Sequence, residues 1–202
     1  MKIKLLILSF LLFGFVPMTM ADDTDLVQKL VKDKIGQVIT YLKDKKIEKS
    51  IRNQKIISTV EPIFDFGIMA KVSMGKENWM AMSKEQREEF IKLFVQRLKE
   101  SYLEKLDLYT DEDVAVDNAT MHKSRIYVKT FLVSKTDKKE MIYKFYKAKT
   151  DWKIYDIEIL GVSIVQTYRS QFSGLVQNGG IEGLLNKLRK SGSLKAPIET
   201  QS

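Results

Sequence analysis

Residues 64–109 read FDFGIMAKVSMGKENWMAMSKEQREEFIKLFVQRLKESYLEKLDLY, and this stretch decides the fold. From Phe90 the apolar residues return at Leu93, Phe94, Leu98, Tyr102 and Leu106. That spacing follows the 3.6-residue period of an α-helix, so these side chains share one stripe. Lys84, Glu88, Lys92, Lys99 and Lys105 fall largely outside it. Ser83 followed by Gln86 fits a capping box, in which a hydroxyl and an amide satisfy orphan donors of the first turn. Upstream, Asp65 suits the cap of a short helix carrying Phe66, Met69, Ala70 and Val72, with Gly75 placed to end it. Any buried helix presents such a stripe, so periodicity predicts a core and leaves the function open.

Toward the N-terminus, Lys2 and Lys4 precede an apolar run from Leu5 to Val16, and Thr19-Met20-Ala21 offers small residues before Asp22. That order of charge, short apolar run and small residues predicts a secretory signal peptide over 1–21. An uncleaved anchor is the alternative, but the run is short against about 30 Å of hydrocarbon. The chain has no Cys, so it needs no disulfide in an oxidising compartment and has no cysteine to carry a lipid. Cleavage removes two lysines and no acid, leaving 32 basic against 26 acidic residues. The lysines are scattered among acids with no nucleic-acid motif, which points to a solvated surface with some preference for anionic partners.

The rest of residues 22–192 reads as one domain, with 193–202 a loose tail. Asp23-Thr24 is expected to cap a first helix striped by Leu26, Val27, Leu30, Val31, Ile35, Val38, Ile39 and Leu42. A second helix carries Ile47, Ile51, Ile56, Ile57 and Val60 and closes at Pro62. After the polar break Asp111-Glu112-Asp113 the period becomes that of strands, predicted over 114–121, 125–134, 140–148 and 152–160. Their short polar connections imply an antiparallel meander. Met141, Tyr143 and Phe145 share one face of the third strand, and Ile142 and Tyr146 are apolar on the other. Ser163 then caps a helix carrying Ile164, Val165, Tyr168, Phe172, Leu175 and Val176, which Gly179-Gly180 breaks before Ile181, Leu184, Leu185 and Leu188. The fold class is α+β: a twisted sheet of about four antiparallel strands packed with N- and C-terminal helices.

The chain offers little reactive chemistry. His122 is the one imidazole, expected in a turn, and no second His or Cys completes a usual transition-metal set. Gly161-Val162-Ser163 does not continue as a nucleophile elbow, and Asp111-Glu112-Asp113 lacks the spacing of a calcium loop. Phosphate-cradling Gly-rich loops are missing as well. No catalytic residue, metal or cofactor is expected.

Two series of residues carry a resemblance. The first is Phe64-Asp65-Phe66, Met69-Ala70-Lys71, Gly75, Trp79, Ser83-Lys84-Glu85-Gln86, Phe90, Phe94 and Tyr102. The second runs through Trp152-Lys153-Ile154-Tyr155-Asp156, Gly161-Val162-Ser163-Ile164-Val165 and Tyr168-Arg169-Ser170-Gln171-Phe172, to Gly180 and Leu184-Leu185. In this order they resemble the MlaC, or toluene-tolerance, family of periplasmic phospholipid-binding proteins.

The resemblance implies a soluble, monomeric carrier in the periplasm of a Gram-negative cell. Its cargo would be phospholipid. Its partners would be an outer-membrane lipoprotein and porin complex and an inner-membrane ABC transporter with a membrane-anchored lipid-binding subunit. It also implies that sheet and helices enclose the acyl chains in an apolar cavity. Exposing two chains of about sixteen carbons would cost on the order of 25 kcal/mol, so the cavity must hide nearly all of both. Aromatic and aliphatic residues are plentiful, and Met69, Met74, Met80, Met82 and Met141 adapt to disordered chains.

The expected lining is Phe66, Met69, Phe90, Phe94, Ile164, Val165, Tyr168 and Phe172, with Tyr143 and Phe145 added from strand alternation. Lys71 and Arg169 are candidates to meet the head group. Lys71 stands where the family commonly has Arg, and loses bidentate geometry. A binding protein for small apolar solutes and a periplasmic chaperone or adaptor are the competing readings.

Overall fold

The computed structural model describes residues 20–106, 112–135 and 137–190. Most of the expected signal peptide, residue 111 of the polar break and the C-terminal tail lie outside them. Within the described residues, six α-helices and five strands follow in the order α1 (Met20–Lys43), α2 (Lys49–Val60), α3 (Phe66–Met74), α4 (Lys76–Ala81), α5 (Lys84–Leu106), β1 (Asp113–His122), β2 (Arg125–Val133), β3 (Lys138–Ala148), β4 (Asp151–Ile159), β5 (Val162–Ser163) and α6 (Ile164–Arg189). The strands form one antiparallel sheet in sequence order, as the short connections require. β5 is the addition to the expected four, a two-residue strand formed where the chain turns back on β4 before entering α6.

Local signals placed the helix ends. The Gln86 amide N–H donates to Ser83 Oγ at 3.2 Å while the Ser83 N–H donates to Gln86 Oε1 at 3.0 Å, closing the capping box. Asp65 accepts the Ile68 N–H at 2.9 Å, and Gly75, at φ 77°, ends α3 and opens α4. Gly180, at φ 66°, breaks α6 where the double glycine stands. Two boundaries differ from expectation. α1 begins at Met20, and Asp23 does not cap it: its carboxylate accepts from Trp152 Nε1 at 3.0 Å and from Lys147 Nζ at 2.9 Å. α2 leaves Ile47 outside and takes its cap from Glu48, because a carboxylate one residue before the helix reaches the Ser50 N–H.

Two apolar clusters form the interior. In the first, α3, α5 and α6 pack on one another through Met69, Met74, Phe90, Phe94, Leu98, Tyr168, Phe172, Leu184 and Leu185, joined by Met82 from the link between α4 and α5. In the second, Val27 and Val31 of α1 cover Ile126, Val128, Phe145, Trp152 and Ile154 on the sheet. Phe64 and Ile157 touch both. Segment 62–65 also ties the helices to the sheet edge. Phe64 bridges Ile154, the Asp65 N–H donates to the Ile154 carbonyl at 2.9 Å, and Lys153 Nζ donates to the Pro62 carbonyl at 2.7 Å. These bonds occupy part of the β4 edge that β5 leaves open.

Candidate apolar binding site

Strand register places three cross-strand rows on one face of the sheet. Ile126, Phe145 and Ile154 form the first, Val128, Tyr143 and Ile157 the second, and Thr130, Met141 and Ile159 the third. The first row is completely buried, under α1. Along β3 and β4 the cover then thins, so that Tyr143, Ile157, Met141 and Ile159 are only partly buried although both strands have neighbours on each side. Ile157 and Ile159 meet the helix cluster, and Tyr143 and Ile157 meet the α1 cluster. A half-covered apolar seam therefore runs between the two clusters.

The helix wall is built from aromatic rings. Phe94 meets Tyr168 edge-to-face with centroids 5.3 Å apart, and Phe90 meets Phe172 in the same way at 5.4 Å. Tyr168 and Phe172 stack at 5.4 Å, one helical turn apart. Each such contact contributes roughly 1 kcal/mol beyond the area it buries. All four rings are 0 % exposed, so they form a closed, rigid block. Met69, Ile164 and Val165 are buried in the same cluster, and Phe66 is half-buried at its margin. The candidates thus separate into three places. Eight belong to the helix block, Phe145 lies under α1, and Tyr143 stands at the seam. Two open surface grooves, of about 430 Å³ beside α1 and β1 and about 470 Å³ on the outer side of α5, are lined by none of the ten.

Alternation along β3 found Tyr143 and Phe145 on one face but gave no sign that one is fully buried and the other only partly. Ile157 and Ile159 did not stand out in the sequence because their alternation matches that of ordinary core positions. Of the methionines taken as adaptable, Met69, Met74 and Met82 are buried and Met141 is at the seam, whereas Met80 is 67 % exposed on α4.

Polar groups gather where the helices meet the sheet. Asp156 is 3 % exposed. Its carboxylate accepts from Ser163 Oγ at 2.8 Å, from the Val165 N–H at 3.3 Å and from Lys144 Nζ at 3.3 Å. Lys144 also pairs with Glu158 at 2.7 Å. Burial pushes the Lys144 pKa down, but the hydrogen bond to Glu158 and the charges of Asp156 and Glu158 outweigh it and hold the ammonium above its ordinary value. The Val165 and Gln166 N–H groups, both in the first turn of α6, are capped by Asp156 and by Ser163 respectively. Asp156 and Glu158 therefore serve as a counter-charge and a helix cap.

Lys71 and Arg169 are solvent-exposed on α3 and α6. The Arg169 guanidinium lies against the α3–α4 junction, where a Cβ on Gly75 would stand 3.2 Å from Nε. His122 is the last residue of β1, not a turn residue. Its ring stacks on Tyr127 at 4.3 Å, and Nε2 is 3.0 Å from Thr120 Oγ1. Among the described residues, no group of three or more His, Cys, Asp or Glu is arranged to hold a metal, and no helix is long and apolar enough to cross a membrane.

The fold and the sequence have counterparts in known proteins. A solved structure of a phospholipid-binding protein from Ralstonia solanacearum, in complex with a phospholipid, matches with a TM-score of 0.71 at 24% identity. The match covers 80% of this chain and 94% of that one, and shows a shared fold. The intermembrane phospholipid transport system binding protein MlaC of Haemophilus influenzae (strain ATCC 51907 / DSM 11121 / KW20 / Rd) is 23% identical over 121 residues. Those residues are 57% of this chain, which spans 56% of the length of that relative. The sequence model of the MlaC protein family matches residues 32–190, and the chain belongs to that family.

Proposed function

We propose that this protein is a soluble periplasmic carrier of phospholipid. It takes lipid from one membrane complex to another, between an outer-membrane lipoprotein and porin complex and an inner-membrane ABC transporter, and so maintains the lipid asymmetry of the outer membrane. The observation that carries this reading is the half-covered apolar seam of Met141, Tyr143, Ile157 and Ile159 in a chain of the MlaC family. The lysine-led apolar segment over 1–21 supports export.

In this reading the acyl chains lie along the seam, with the sheet rows on one side and the ring block of Phe90, Phe94, Tyr168 and Phe172 forming the wall behind Phe66 and Ile159. The chains gain about 0.8 kcal/mol per methylene removed from water, while the phosphate stays hydrated near Lys71 and Arg169. Lipid passing from one apolar site to another of similar depth changes free energy little, so partners set the direction. Nucleotide hydrolysis belongs to the transporter.

The test is native mass spectrometry of the mature protein purified without detergent, followed by organic extraction. A bound mass matching one diacyl phospholipid per chain is the expected result. A bound apolar solute several times lighter would favour solvent binding. A clean apo mass with no uptake from liposomes, together with peptide-dependent stabilisation, would favour a chaperone.

A further inference from the structure

Tyr102 stands on α5, half-buried against the helix cluster that also receives Ile157 and Ile159 of the seam. Its hydroxyl is buried and has no hydrogen-bond partner among the described residues. Asp156, the carboxylate whose charge reaches Tyr102, already accepts from Lys144, Ser163 and the Val165 N–H. A buried hydroxyl left without a partner is costly, and each one calls for an explanation. Burial, together with the nearby Tyr168 and Asp156, pushes the Tyr102 pKa far up, so the group stays a protonated donor at any physiological pH.

A phospholipid that sinks its chains into a dry seam brings a matching deficit. The first polar atoms above the methylenes are the ester carbonyls, which accept hydrogen bonds and cannot donate them. They lose water as the chains enter, while the phosphate and head group beyond them stay wet. Resting on the carrier reading, we infer that the Tyr102 hydroxyl donates to an ester carbonyl of the bound lipid and so makes ester-linked phospholipids the preferred cargo over ether-linked ones. A site built to hydrogen-bond a group discriminates against the analogue lacking it, because its own donor is then left unpaired.

The experiment loads delipidated full-length mature protein from vesicles with diester or diether phosphatidylglycerol of equal chain length, and measures both affinities by competition with native mass spectrometry. Wild type is expected to favour the diester about tenfold, the factor one hydrogen bond in a dry site supplies. Tyr102→Phe, checked for native circular dichroism, is expected to bring diester affinity down to the diether level. Equal affinities in the wild type, as a bridging water on Tyr102 would give, overturn the inference and leave the carrier reading intact. The same holds for a diester preference that survives in Tyr102→Phe. Failure of the wild type to take up either lipid overturns both.

Discussion

Asp156 on β4 accepts the backbone N–H of Val165 at 3.3 Å, and through that bond the sheet fixes where α6 begins. The carboxylate belongs to the same strand as seam residues Ile157 and Ile159, and the helix it caps carries Tyr168 and Phe172. One buried side chain therefore holds the two walls of the proposed site in register.

Asp156→Ala is expected to lower the unfolding free energy by about 3 kcal/mol, because it removes a helix cap and leaves Lys144 with one carboxylate instead of two. Asp156→Asn, which keeps an acceptor for Val165, should lose less. Urea denaturation of the three proteins checks the order. Equal stability of Asp156→Ala and wild type would show that the cap contributes nothing.

Asp23 joins α1 to the far end of β3 and β4. The hydrogen bond from Trp152, then that from Lys147, hold its pKa below its ordinary value near 3.8. The unfolded chain thus binds this proton more readily, so the link contributes fully above the ordinary carboxylate range and fades as pH falls through it toward the folded value. Tryptophan fluorescence during acid titration should show an acid transition that Asp23→Asn moves or flattens. An identical transition in the variant would disconnect Asp23 from acid stability.

The ring block and the seam should respond differently to substitution. Phe94→Ala opens a hole in a fully packed cluster and is expected to cost about 3–5 kcal/mol, and Phe94→Asp should unfold the domain outright. Met141→Asp places its charge on a half-open surface, so the protein should stay folded and lose bound phospholipid. Thermal melts paired with extracted lipid mass separate the two effects. A folded Met141→Asp protein with normal lipid content removes the seam from the site.

Gly75→Ala is expected to destabilise by about 1–2 kcal/mol, since φ is +77° and the added Cβ would crowd Arg169 Nε at 3.2 Å. Pairing it with Arg169→Ala should recover the crowding part and leave the backbone part. Calorimetric melting of both proteins measures the division.

Much of the fold could be read from the chain in order. The capping box at Ser83 and Gln86, the Asp65 cap and the helix breaks at Gly75 and Gly180 rest on groups within four residues of each other, where spacing alone brings them together. The four long strands and their antiparallel order followed from alternation and short connections. Asp23 was misread for the opposite reason. As an isolated Asp-Thr pair it suited a helix cap, but its partner Trp152 lies 129 positions along the chain, and no local pattern announces such a bond.

The sequence by itself determined the element types, most of the helix ends and, through two ordered series of residues, the family, because each depends on local chemistry or on recurring residue order. The tertiary structure alone decided which apolar residues are solid core and which remain half open. Phe145 and Tyr143 alternate identically along β3 and both meet the α1 cluster, yet the first is fully buried and the second only partly. Burial depends on what another segment covers, and that is a property of packing between distant parts of the chain.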